Sequence, residues 1–207
     1  MFAVAGVRLH GCMTNRTVLV WLHVLTSVGW MSMALAIATL LWWGLANGEP
    51  AAFEMADVID DELLRHLATA SAYSGFMLSA LTAWGYFRYW WVLMKAAITV
   101  VQLSLGIFLL GQNLDGNPGW PLVIASLLMA GAFAYQAWLS LRKPWKLTPW
   151  SGRRRPATAP GWQFLAVAVV PVLDYLLWRA PLLSLLVVLG YPDIVAAGNA
   201  AHGLLGF

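Results

Sequence analysis

The chain has 207 residues, 61% of them hydrophobic and only 10% Asp, Glu, Lys or Arg, against about a quarter charged in soluble domains. So few charges cannot cover a water-facing surface, and the bilayer is the expected solvent. The formal charge is +3, but the bases sit at the ends of apolar runs, which is a topology signal rather than a nucleic-acid module. No phosphate loop, nucleophile triad or clustered His/Cys site appears, which argues against soluble-type hydrolases and kinases.

Residues 1–16 read as a cytoplasmic N-terminal segment. Its Cys12 is the single cysteine, so no intramolecular disulfide can form. "RLHGC" at 8–12 has no apolar region before it, as a lipoprotein signal would require. The first apolar run, 17–45, is about twice the length of a signal-peptide core.

A spanning helix needs about 20 mostly apolar residues. Five runs meet this: 17–45, 66–87, 90–111, 120–141 and 162–190. The fold expected is all-α, a polytopic membrane protein of five transmembrane helices. Residues 17–142 form a four-helix bundle, 143–161 a basic cytoplasmic loop, and 162–207 an appended fifth helix with an outer tail.

The connections alternate in charge. Arg8 and Arg16 precede the first run, while Glu49, Glu54, Asp57, Asp60, Asp61 and Glu62 follow it with one base, Arg65. Arg88 lies in the second turn, Asp115 in the third, and Arg142, Lys143, Lys146 and Arg153–Arg155 in the loop after the fourth run. Asp193 follows the fifth. The positive-inside rule then places the N-terminus in and the C-terminus out. Trp21, Trp84, Trp90, Trp91, Trp138, Trp145 and Trp162 fall near the inner interface, and Trp42, Trp43 and Trp120 near the outer one; Trp30, mid-helix, fits neither belt.

Ionisable groups within a membrane are costly and face a bundle interior. Four qualify here: His23, Lys95, Asp174 and Arg179. His23 and Lys95 both lie roughly 8–9 Å from the inner boundary at 1.5 Å per residue, and Gln136 is level with them. His23, Ser27 and Trp30 share one helix face, and Lys95, Thr99, Gln102 and Gly106 share another. Two polar stripes at one depth describe a polar pocket near the cytoplasmic side. Three readings of His23 stay open: a hydrogen bond between helices, a haem or metal ligand, or a proton relay. Lys95 either faces that pocket or snorkels to the interface.

A paired haem site on His23 and His66 is rejected, because most of the bilayer, roughly 15 Å or more, separates them. Met31 and Met33 are soft donors for copper, but they point about 200° apart on a helix. Arg179 is read as lying near the outer interface, with "APLLSLLVVLG" as a partly inserted segment. Ser71, Gly75, Ser79 and Ala83 recur every four residues, a small-residue ladder that lets helices approach, within the chain or against a homo-oligomeric or other membrane partner.

"WLHVLTSVGWMSMALAI" followed by "YWWVLMKAAITVVQ" resembles a superfamily of small membrane proteins that includes the copper-resistance CopD-like proteins, the HemJ-type protoporphyrinogen oxidases and uncharacterised bacterial relatives. The resemblance spans about 17–142 and is nearest the uncharacterised branch. It implies that His23 is an axial ligand of haem b and that Lys95 is a cavity cation serving activity. Ser27, Gln102 and Gln136 complete the expected pocket. The function expected is a haem-related redox role, the alternatives being haem-free copper handling or transport, or an accessory subunit.

Overall fold

The computed structural model describes residues 15–110, 118–149, 151, 158–177 and 179–190. Arg8, His10, Cys12, Asp115, Arg153–Arg155, Asp193, His202 and the outer tail lie outside the described residues. Helix α1 is Asn15–Asn47, α2 is Pro50–Ile59, and α3 is Arg65–Leu81. Between α2 and α3 a π-helical turn, Asp60–Leu64, keeps the chain helical throughout. Helix α4 is Trp90–Leu105, extended by a second π turn, Gly106–Leu110. Helix α5 is Trp120–Arg142 and α6 is Gly161–Leu177. Residues 182–190 form α7. The described residues contain no strand, and the protein is all-helical. Among the described residues three helical stretches are long and apolar enough to cross a membrane: α1, Trp90–Phe108 across α4 and its π turn, and α5.

Local chemistry sets the ends. Gly48 takes φ +64° after α1, and the Glu49 amide donates back to Gly44 O at 3.0 Å; only glycine adopts this left-handed turn freely. Pro50 then starts α2 from its first turn, where a missing N–H costs nothing. Lys143 closes α5 in the left-handed region, its amide on Leu139 O at 2.9 Å.

The second expected span, 66–87, is displaced. Its helix starts upstream at Pro50 and stops at Leu81, and 82–89 is a turn with Gly85 at φ +63°. The acidic stretch is helical because it is amphipathic. Ala52, Ala56, Asp60 and Leu64 are buried at four-residue spacing, while Glu54, Asp61 and Glu62 face out.

The fifth expected span is not one helix. It breaks after Leu177, with Arg179 at φ +50° and Pro181 before α7. Asp174 of α6 accepts the α7 backbone amides of Leu183 and Ser184, each at 2.7 Å. Val187 and Val188 pack against the cluster of Leu19, Tyr73, Met77, Leu81, Phe164 and Val167. A straight continuation would carry Val187 away from those residues, so α7 turns back along α6. Arg179 pairs with Glu62 at 3.2 Å, and the His66 ring meets Tyr175 edge-on at 4.9 Å. The α6–α7 corner therefore sits at the acidic end of the molecule.

Helix α1 is the central post. Its upper half (Trp30, Ala34, Ile37, Leu41) packs on Ala56, Leu64, Ala68 and the α5 residues Leu122, Val123, Met129 and Phe133. Its lower half packs through Leu19 on α3 and α6. Helix α6 is thus part of the core rather than an appendage, because Phe164, Val167 and Ala168 form an apolar face that α1 and α3 cover. Helix α4 is peripheral, resting on α5 and α3. Trp30 is a core residue, 1% exposed and edge-on to Phe133 at 4.5 Å, which explains its absence from either belt. Trp21, Trp138, Trp145 and Trp162 at one end, and Trp42, Trp43 and Trp120 at the other, are exposed. Indoles at both rims and bare Leu, Val and Ile between them suit a lipid-facing surface.

Candidate functional site

The residues expected to share one pocket occupy two helix–helix seams. The first joins α1 to α3. His23 Nδ1 lies 3.1 Å from Ser71 O and 3.1 Å from Ser74 Oγ. A backbone carbonyl only accepts, so Nδ1 carries the proton. Ser74 Oγ is already a donor to Ala70 O at 2.7 Å and can accept from the same Nδ1–H. When the ring is neutral, the bond to Ser71 O selects the tautomer that leaves Nε2 as the lone-pair nitrogen. Nε2 has no hydrogen-bond partner among the described residues. It is also not among the fully enclosed polar atoms without a partner. Beside it, Ser27 Oγ pairs with Ser71 Oγ at 2.7 Å.

Gly75 makes this seam geometrically feasible. A Cβ there would come within 2.9 Å of His23 Cε1. The small-residue ladder of α3 is therefore used at Ser71 and Gly75 by α1 of the same chain, while Ser79 Oγ donates to Gly75 O at 3.1 Å.

The second seam joins α4 to α5. Lys95 Nζ donates to Ser140 Oγ at 2.7 Å, and Ser140 donates to Gln136 O at 2.9 Å. Thr99 donates to Gln136 Oε1 at 3.3 Å, Gln136 Nε2 to Gln102 Oε1 at 2.5 Å, and Gln102 Nε2 to Met129 O at 3.0 Å. The terminal acceptor is a carbonyl, so the whole chain of amides polarises in one direction. Gln102 and Gln136 are buried. The Cα of Lys95 is about 8 Å past the start of α4 by its five-residue offset. Its ammonium, however, reaches Ser140, two residues before the end of α5. The side chain runs toward the helix ends, as a snorkelling lysine does.

Sequence reasoning placed His23, Lys95 and Gln136 at one depth, with Ser27 and Gln102 on the same helix faces, but missed Ser74 and Ser140, the partners that hold His23 and Lys95. Ser140 was findable as the i+4 neighbour of Gln136. Ser74 was not, because it lies off the four-residue ladder. His66 is nearer in level to His23 than expected: it precedes Ser71 and Ser74 by five and eight residues, roughly 10 Å along α3. The reason is that the helix continues upstream to Pro50, so His66 is not at its outer end. The His66 ring turns to Tyr175 of α6 instead of toward His23. Met31 and Met33 pack against the apolar core. Among the described residues no group of three His, Cys, Asp or Glu side chains could hold a metal ion.

Fold and site together define a class: an all-helical protein with helices long and apolar enough to cross a membrane and two polar helix–helix seams, one of which holds an imidazole. No family model, no curated protein and no solved structure matches the chain.

Proposed function

We propose that the chain is an integral protein of the bacterial cytoplasmic membrane, with the Arg16 end of α1 inside, that binds haem b through His23 Nε2. The observation that carries this reading is the His23 tautomer. Imidazoles that ligate a metal donate their other N–H to a carbonyl or carboxylate, which fixes the ring and raises its basicity. Here Ser71 O takes that proton and Ser74 Oγ supports it, leaving one donor nitrogen unbonded.

The donor set fits one axial ligand. Neither His66 nor either core methionine approaches His23 as a second donor, so within this chain His23 alone would hold the group. Lys95, with two ammonium hydrogens beyond its bond to Ser140, is the cation for a propionate. The protein's own contributions are orientation of the imidazole through α3, a low-dielectric surround and a neutralising charge. A haem held this way supplies one-electron chemistry or small-ligand binding.

The test is an optical spectrum of full-length protein, purified in mild detergent after expression with a haem precursor. A Soret band is expected, lost in His23→Ala and altered in His23→Met with an unchanged gel-filtration profile. Absence of the band, or a band unaffected by both substitutions, overturns the reading. The orientation is read by reporter fusions: cytoplasmic for 143–161 and external for 47–64.

A further inference from the structure

At the end of the bundle where α1 begins and α5 ends, two cations converge on one indole. Arg16 Cζ lies 5.4 Å from the Trp84 ring centroid, and Lys143 Nζ lies 5.5 Å from it. The two charges are therefore no more than about 11 Å apart. They come from distant parts of the chain, the first turn of α1 and the cap of α5, so tertiary packing alone brings them together.

The ring they share is held firmly. Trp91 meets Trp84 edge-on at 5.4 Å, and Trp91 itself is buried. The turn carrying Trp84 is anchored from outside. Thr148 Oγ1 donates to Phe87 O, the Thr148 amide donates to Arg88 O at 3.0 Å, and the Ala159 amide donates to Leu81 O at 2.9 Å. Lys143 adopts φ +46°, a backbone state that ordinary residues rarely take.

Among the described residues no carboxylate pairs with these charges. Between residues 63 and 173 the sequence contains one acid, Asp115, which lies outside the described residues. Arg16 and Lys143 form no ion pair among the described residues. The acidic end of the molecule behaves differently: its bases Arg65 and Arg179 each pair with an acid, Asp61 and Glu62. Two cations placed on one ring without a counter-ion repel each other. An anion with several acceptor oxygens seated between them removes that repulsion. Exposed Trp90, Trp138 and Trp145 near this end put it at headgroup level.

We infer that Arg16, Trp84 and Lys143 form a binding site for the phosphate of an anionic phospholipid headgroup. Basic pockets between helix ends on the cytoplasmic side take such headgroups. The inference uses the membrane placement but not the haem reading, since none of the three residues touches His23.

The test uses full-length protein in dodecyl maltoside with added phosphatidylglycerol or phosphatidylcholine. Lipid retention is counted by native mass spectrometry, and the thermal midpoint is followed in parallel. Phosphatidylglycerol should be retained at least tenfold more strongly and should raise the midpoint. Arg16→Gln with Lys143→Gln should abolish the preference, while His23→Ala should leave it intact. Lys143→Gly removes the cation and relieves its backbone state, so it should weaken retention without lowering the midpoint in phosphatidylcholine. Equal retention of the two lipids, or full preference in both the Gln pair and Lys143→Gly, overturns the inference. So does an equal midpoint rise with inorganic phosphate alone, which would mean a free-anion site.

Discussion

The seam between α1 and α3 makes Gly75 the most informative single position. Replacing it with Ala places a Cβ 2.9 Å from His23 Cε1, closer than the ring can tolerate. The ring cannot slide freely, because Nδ1 is held by Ser71 O and Ser74 Oγ. Overpacking costs about 1–3 kcal/mol, and each displaced hydrogen bond about 1 kcal/mol. Against this, Ala in place of Gly in a helix gains about 1 kcal/mol. The net expectation for Gly75→Ala is a loss of about 1–3 kcal/mol. Gly131 of α5 is the control, since a Cβ there meets nothing within 4 Å; Gly131→Ala should be neutral or slightly stabilising. The assay is reversible unfolding in mixed micelles, run as a double-mutant cycle with His23→Ala. Removing the ring removes the clash and leaves only the helix gain, so Gly75→Ala should gain about 1 kcal/mol in the His23→Ala background, a coupling of about 2–4 kcal/mol. Equal costs in both backgrounds would refute the reasoning, because the strain would then lie elsewhere than at the imidazole.

Three further expectations follow from other parts of the fold. Asp174→Ala should free the amides of Leu183 and Ser184, seen as faster hydrogen exchange at those two positions and across 182–190 while α1 stays protected; uniform exchange across both would count against the corner. Gln136→Leu leaves Gln102 Oε1 and Thr99 without partners and should cost about 1–3 kcal/mol, and the double change with Gln102→Leu should cost less than twice that in the same unfolding assay. Burial pushes the Asp60 carboxyl up from 3.8 to about 6. Its folded value is thus above the unfolded one, so stability is full below about pH 4 and falls as pH rises through about 6, by at most about 3 kcal/mol; Asp60→Asn should flatten that part of the pH–stability curve.

Depth was legible in the sequence, whereas lateral neighbours were not. The first, third and fourth apolar runs matched α1, α4 and α5 nearly to the residue, because their ends are marked by Trp, Pro, Gly and basic residues. The second run misled because Arg65 and the acids around it looked like a loop. Their alternation with Ala52, Ala56 and Leu64 is helical, and the π turn at Asp60–Leu64 absorbs the change of register. The fifth run misled in the opposite sense: Pro171 sits inside α6 without ending it, while the break falls at Arg179 and Pro181.

The sequence by itself determined the helical class, the apolar character that suits a bilayer and the approximate level of His23, Lys95 and Gln136 along their helices, since these follow from one-dimensional quantities: apolar run length, charge between runs and rise per residue. Only the tertiary structure decided which groups meet. His23 turned to Ser71 and Ser74 of α3, and Lys95 to Ser140 of α5, because rotation about a helix axis is set by packing at positions such as Gly75 and not by depth. The same holds for Arg16 and Lys143 on Trp84, 127 residues apart in the chain and adjacent only because α1 and α5 pack side by side.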